Sequence, residues 1–233
     1  MNSNPVALIV GAGSGLSASL ARLLSREGFQ IALAARNVSK LDALLQETKG
    51  FGRACDASIP AQVESLFDAV EQSLGAPAWV IYNASYRARG PLIELDPAEV
   101  ERTLAVSAYG GFLVGQRAAR SMVARGLGGI FFTGASASVK GYANSAPFAM
   151  GKFALRGLAQ SMARELSPHG VHVAHFVIDG GILQGAGDAR SSDRPEDGML
   201  LPDEIARAYL QVYRQHRSAW SMEMELRPWT ERF

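Results

Sequence analysis

An α/β domain built on a parallel sheet is the fold this sequence predicts, and three observations predict it. Short apolar runs of 4 to 7 residues alternate with longer amphipathic stretches along almost the whole chain. Runs of that kind, separated by helices, imply β–α–β units and a sheet covered on both faces. A glycine-rich turn, VGAGSGL, lies between the first apolar run and the first amphipathic one.

The elements follow in order. Strands are expected at residues 6–10, 30–34, 51–55, 79–82, 130–133 and 171–177, and helices at 16–27, 39–47, 60–74, 97–124 and 147–166. Asp96-Pro97 and Ser58-Ile59-Pro60 read as helix starts, because the first helical position loses nothing to a missing N–H. A last helix at 202–216 and a strand around 220–226 complete the series. Without repeat, charge block or linker, residues 1–233 form a single domain in this reading. The segment 185–198, GAGDARSSDRPEDG, has small and charged residues that cannot build a core, and is expected to be a mobile substrate loop.

Bulk properties narrow the function. The 233 residues, 48% of them hydrophobic, suffice for one sizeable core. A net charge of +1 offers no footprint for nucleic acid or an anionic membrane. Cys55 is the only cysteine, so no internal disulfide forms and a reducing compartment is expected. The N-terminal apolar run, 6–10, is too short for a signal peptide, and no run approaches the ~20 residues of a membrane span. The expectation is a cytoplasmic protein with a small-molecule substrate.

The glycine turn points to a cofactor. A strand, a turn with Gly11, Gly13 and Gly15, and a helix start together make an anion site. There, backbone N–H groups and the positive helix end meet a pyrophosphate, and glycine lets it approach closely. This predicts a Rossmann-like, doubly wound arrangement with Gly11, Ser14, Gly15 and Leu16 at the phosphates. At the end of the second strand, ALAARNVSKL offers Ala35 where an acidic residue would bind the ribose hydroxyls. Arg36 follows, with Lys40 beyond it, and a guanidinium beside a vacant acid position suits a 2′-phosphate. NADP(H) is therefore expected over NAD(H).

The spacing is close to G-x-x-x-G-x-G, with Ser17 where the last glycine would stand, and here the chain resembles the short-chain dehydrogenase/reductase family. CDAS supplies Asp56, similar to the family aspartate that holds the adenine. YNAS supplies Asn83 and resembles the family's N-N-A-G after strand four. GKFALRGLAQSMARELSPHGVHV resembles the helix and strand that follow the active-site lysine, here Lys152. The resemblance runs from Val6 to about Leu226.

The same resemblance exposes departures. The family's active-site pair is Tyr-x-x-x-Lys; here Phe148 precedes Lys152 and has no proton to give. The family serine, thirteen residues upstream, would fall on Ala135, with Ser136 one place away as the candidate. The relay asparagine aligns with Ser107, and the Pro-Gly after strand six with Asp179-Gly180. The resemblance thus implies an oxidoreductase with an altered proton-transfer site, or a dinucleotide-binding sensor or scaffold that lost the acid. Tyr142 is the leading stand-in donor, ahead of Tyr109 and Asp179. A route through an activated C=C is the other chemistry open to such a site.

No metal site is expected: His172 and His175 are three apart on one strand and so point to opposite faces. His169 and His216 read as helix-end and turn residues. Small residues on the long helices (Gly110, Gly111, Gly115, Gly151, Ala154) suit close packing. In similar proteins those helices form a dimer interface, which implies a homodimer or homotetramer; the alternative is packing on the chain's own sheet.

Overall fold

The structure, a computed structural model, describes residues 4–185 and 187–231. Seven strands form one parallel sheet in the order β3-β2-β1-β4-β5-β6-β7. They are β1 Val6–Val10, β2 Gln30–Ala35, β3 Phe51–Ala54, β4 Trp79–Tyr82, β5 Gly128–Thr133, β6 Val171–Ile178 and β7 Glu223–Leu226. The chain builds outward from β1 to β3, then returns to place β4 on the other side of β1. That reversal is the topological switch point, where a crevice opens beyond the carboxyl ends of the strands.

Helices α1 Leu16–Arg26, α2 Asp42–Thr48 and α7 Pro202–Tyr213 cover one face of the sheet. Helices α3 Pro60–Leu74, α5 Gly110–Arg125 and α6 Ala146–Leu166 cover the other, with α4 Pro97–Leu104 leading into α5. Burial on both faces explains why β1 and β4 are apolar throughout. On the α1 side Trp79 is fully buried, stacked on Tyr213 at 4.2 Å and edge-on to Phe131 at 5.2 Å. Burying an aromatic of this size contributes about 2–3 kcal/mol.

The helix expected over 97–124 is interrupted. Residues Ala105–Tyr109 form a π-turn between α4 and α5. The physical reason is Tyr82, whose hydroxyl donates a short hydrogen bond to the Val106 carbonyl. A carbonyl drawn to a side chain is displaced from the helical ladder, and one extra residue absorbs the displacement. Gly110 belongs to the same device, because a Cβ there would strike the Tyr82 hydroxyl.

The small residues on these helices mostly pack within the chain. A Cβ on Gly111 would meet Leu155, on Gly115 Met162 and Phe132, and on Gly151 Ser107. The reading of those glycines as packing on the chain's own framework is therefore the one that holds. Ala154 is exposed, and Tyr109, Phe112 and Phe153 are 40% to 46% exposed on the same helices. Tyr109 stacks on Phe112 at 6.2 Å.

The segment 185–198, of which Ala186 lies outside the described residues, folds on itself. Asp188 accepts from Arg190 and from the Gln184 N–H, and Arg190 also donates to the Ile182 carbonyl. A parallel bridge between Ile182 and Leu200 closes its base.

Candidate active site

At the switch point, β1 runs into a turn that tolerates only glycine at its first position. Gly11 has φ +85°, and a Cβ there would collide with the Ala84 backbone. Its N–H and that of Ala12 both donate to the Ala34 carbonyl, tying the turn to β2. Gly13 and Gly15, by contrast, would project a Cβ into open space. Helix α1 starts at Gly15 with no side-chain cap, and Leu16 is buried beside a cavity of about 190 Å³. Uncapped N–H groups at the positive end of an 11-residue helix, facing a cavity, fit a phosphate group. Ser14 is exposed on the turn.

Ser17 does more than replace a glycine. Its hydroxyl donates to the Gly11 carbonyl at 3.3 Å and accepts from Asn83 Nδ2 at 2.7 Å. Asn83 in turn donates its backbone N–H to the Val10 carbonyl. The end of β4 is thus fastened to the glycine turn by side chain and backbone together.

A second cavity, of about 360 Å³, opens on the β2–β3 side and is lined by Arg36, Lys40, Asp56 and Asn83 among others. Arg36 and Lys40 are exposed. Asp56 is fixed by Ser58, whose N–H and hydroxyl donate to Oδ1 at 3.0 and 2.6 Å. Burial would raise its pKa, but the Ser58 hydrogen bonds and the charges of Arg36 and Arg102 outweigh burial and lower it. Asp56 is therefore an anion with an oxygen left for a donor.

The third cavity, of about 760 Å³, lies beyond β5 and β6 and is bordered by Ser136, Tyr142 and Phe148. The three cavities adjoin: Gly11 and Asn83 line both smaller ones, and Ile182 lines the glycine-turn cavity and the large one. A continuous trough thus runs from Arg36 past α1 to Phe148. Its shape and donor set fit an extended dinucleotide.

Phe148 and Lys152 share one face of α6, with the ammonium 5.7 Å from the ring centroid. Lys152 is 3% exposed, and Nζ donates to the Thr133 carbonyl at 2.8 Å. Part of its burial is thus answered within the chain, a partner the sequence pattern could not reveal. Burial pushes its pKa down to about 8.

The other expected residues separate. Ala135 and Ser136 both border the large cavity. Tyr142, also on its border, is 47% exposed, with Lys140 Nζ 5.9 Å from its ring. Tyr109 lies on the outer helical face, away from these cavities. Asp179 is buried and salt-bridged to Lys140 at 3.4 Å and Arg227 at 3.2 Å, and it borders none of the three cavities. Ser107 is buried against the Tyr86 backbone, 3.4 Å from both its N and O.

Beneath the site runs a polar chain. Ser138 Oγ lies 3.3 Å from His175 Nε2, His175 Nδ1 lies 3.1 Å from Glu223, and Arg156 grips Glu223 with two bonds of 2.7 Å. Serine, imidazole and carboxylate are connected as in a nucleophilic triad. Ser138 and His175 are both fully buried, however, and Ser138 accepts the Ala135 N–H, so the chain is structural. Burial lowers the His175 pKa to about 4, against the pull of Glu223, which leaves the imidazole neutral. His172 points to the other face, stacked on Trp220 at 4.7 Å. Among the described residues no three His, Cys, Asp or Glu side chains converge on a metal position.

Comparison with known proteins assigns the family. A family model described as short chain dehydrogenase matches residues 5–191. The 3-oxoacyl-[acyl-carrier-protein] reductase MabA of Mycobacterium tuberculosis is 31% identical over 173 residues, 74% of this chain and 67% of that protein. Among solved structures, a short-chain dehydrogenase from Rhodopseudomonas palustris is 35% identical with a TM-score of 0.83, covering 97% of this chain and 99% of that one. An alcohol dehydrogenase from the archaeon Thermococcus sibiricus, complexed with 5-hydroxy-NADP, is 27% identical with a TM-score of 0.84, covering 98% of each chain. The chain belongs to the short-chain dehydrogenase/reductase family of oxidoreductases.

Lys152 carries a stability cost that can be measured. It loses its proton near pH 8 when folded, against 10.5 ordinarily. The unfolded chain therefore binds more protons between those values, and its contribution to stability rises from pH 8 to 10.5. Replacing it by methionine, Lys152→Met, is expected to stabilise the free protein at pH 7 by about 1–3 kcal/mol. The difference between variant and parent should shrink above pH 8. Urea unfolding of both proteins across that range reads it, and a variant less stable at pH 7 would refute it.

Proposed function

We propose that the chain is an NADP(H)-dependent oxidoreductase with an altered proton-transfer site, acting on a small or medium organic substrate in the large cavity. The observation that carries this reading is the continuous trough, with Arg36 and Lys40 at one end and Phe148 above Lys152 at the other. When bound, the nicotinamide would supply or accept a hydride. The uncapped N–H groups of α1, with Gly11, Ser14, Gly15 and Leu16, would face the pyrophosphate. Arg36 would contact the 2′-phosphate and Lys40 add charge beside it. Asp56 would accept from the adenine amino group, Asn83 would line the ribose side, and Lys152 would hold the nicotinamide ribose.

Proton transfer is where this chain departs. Phe148 cannot donate, so the hydroxyl nearest the reacting centre must come from Tyr142, from Ser136 or from water in the cavity. Of these two side chains Tyr142 carries the phenol, and Lys140 Nζ lies 5.9 Å from its ring. Such a donor would be less well placed than a tyrosine on α6, and turnover correspondingly slow. A segment 185–198 that moves over the substrate would complete the site. We further place the protein in the cytoplasm as a homodimer or homotetramer, joined through the face that exposes Tyr109, Phe112 and Phe153.

Titration of NADPH and NADH tests the cofactor. The parent is expected to bind NADPH at least about tenfold more tightly, and Arg36→Ala to remove the gap. Equal binding by the parent would refute the preference, and no binding of either would leave the sensor or scaffold reading without its ligand too. Phe148→Tyr tests the proton-transfer site: carbonyl reduction by NADPH should rise about 10²- to 10⁴-fold over the parent. An unchanged rate would show that the missing hydroxyl is not what limits the site. Light scattering at micromolar concentration reads the assembly, where a monomer would exclude it.

A further inference from the structure

The large cavity has a charge its shape does not explain. Four arginines border it, Arg87, Arg89, Arg190 and Arg194, against one acid, Glu231. Two of the four are answered within the chain. Arg190 is bound by the Asp188 carboxylate and the Ile182 carbonyl, and Arg194 by the Gly198 carbonyl and Glu231. Among the described residues, Arg87 and Arg89, both exposed, have neither a carboxylate nor a hydrogen-bond partner.

Arg87 is nonetheless held in place. Its guanidinium lies over the Phe148 ring, 4.5 Å from the centroid. A guanidinium stacked on a ring engages with its flat face and leaves its edge N–H groups free for in-plane contacts. Gly90, next to Arg89, donates to the Asn144 carbonyl at 3.1 Å, which fastens this stretch to the loop that carries Tyr142. Burial, and then the charge of Arg89, lowers the Arg87 pKa.

We propose that Arg87 and Arg89 bind the carboxylate, or an equivalent oxyanion, of the substrate, so that the cavity selects small organic anions. This rests on the reading of the cavity as the substrate site. The stacked guanidinium offers the paired edge donors that fit a carboxylate. Its neighbour adds a second charge at the mouth, where it also draws anions in from solution. The anion would be seated at the edge of the Arg87 guanidinium, beside Phe148, with the remainder of the substrate in the cavity toward the end of β5.

The test compares two probes of nearly one shape, phenylacetate and the neutral phenylacetamide, by calorimetry on the protein with and without saturating NADPH. At about 50 mM salt the acid should bind about tenfold or more tightly than the amide, and the gap should narrow at about 500 mM. Arg87→Gln combined with Arg89→Gln should abolish the gap while leaving amide binding unchanged. Equal affinity for acid and amide, no binding of either at tens of millimolar, or a gap that survives in the double variant would overturn the proposal. Failure to bind NADPH in the same samples would sink the oxidoreductase reading alone, since the acid–amide comparison on the free protein still decides the anion site.

Discussion

Gly11 presses against the backbone of Ala84, and the rest of the site is arranged around that contact. Only a residue without Cβ, at a positive φ, lets the end of β1 turn while β4 passes so near. The turn is then secured by three kinds of bond: Gly11 and Ala12 to Ala34, Asn83 to Val10, and Ser17 to both Gly11 and Asn83. Because β4 returns to the side of β1 opposite β2, the same contact separates the Arg36 side of the trough from the Phe148 side. The α1 N-terminus is left facing the junction, its backbone donors uncapped. A stability-optimised turn would cap that helix; leaving it open makes sense only where something else accepts from it.

The far side depends on a different economy of charge. Lys152 sits in the interior with a carbonyl rather than a carboxylate as its partner, so its charge is held at a cost. Its neighbour His175 is kept neutral, which avoids a second buried positive charge. Glu223 is bound on its other side by Arg156 and turned toward the imidazole. The negative charge nearest to Lys152 in this chain of contacts is therefore already committed. An ammonium arranged in this way has donors to spare, and in the proposed reading the ribose oxygens of the nucleotide answer them.

Much of this was legible in the sequence, and the limits have physical causes. The five inner strands and the glycine turn announce themselves through apolar runs and punctuation, because a sheet buried on both faces tolerates little else, whereas the edge strands β3 and β7 are only half-buried and carry Arg53, Glu223 and Glu225. Arg36, Asp56, Asn83 and Phe148 could be picked out because each stands at the end of a strand or on a helix face at a fixed distance from a landmark. The π-turn at Ala105–Tyr109 could not, since it is set by a hydroxyl on β4 that is remote in sequence. The pairing of Thr133 with Lys152 was hidden for the same reason: a backbone acceptor has no residue identity to read. Arg87 and Arg89 carry no mark in the sequence beyond two charges in YRARG, and it is the placement of Arg87 over Phe148 and of both at the cavity that sets them apart.

Phe148 then takes on two roles that pull against each other. A tyrosine there would supply a proton, but its hydroxyl would stand at the rim of a cavity where Arg87 already supplies positive charge. The phenyl ring gives up the acid and keeps the face on which Arg87 stacks, as well as the face turned to Lys152. Arg87 and Lys152 against one aromatic ring make a strongly positive region, in which the guanidinium releases no proton at any ordinary pH and Lys152 releases one only near pH 8. Such a region stabilises negative charge on whatever occupies it without neutralising that charge. In the proposed reading this favours an anionic reactant or a developing oxyanion and leaves protonation to Tyr142, Ser136 or solvent. A tyrosine would offer Arg87 the same ring face, so what phenylalanine changes at this position is the proton and not the cation contact.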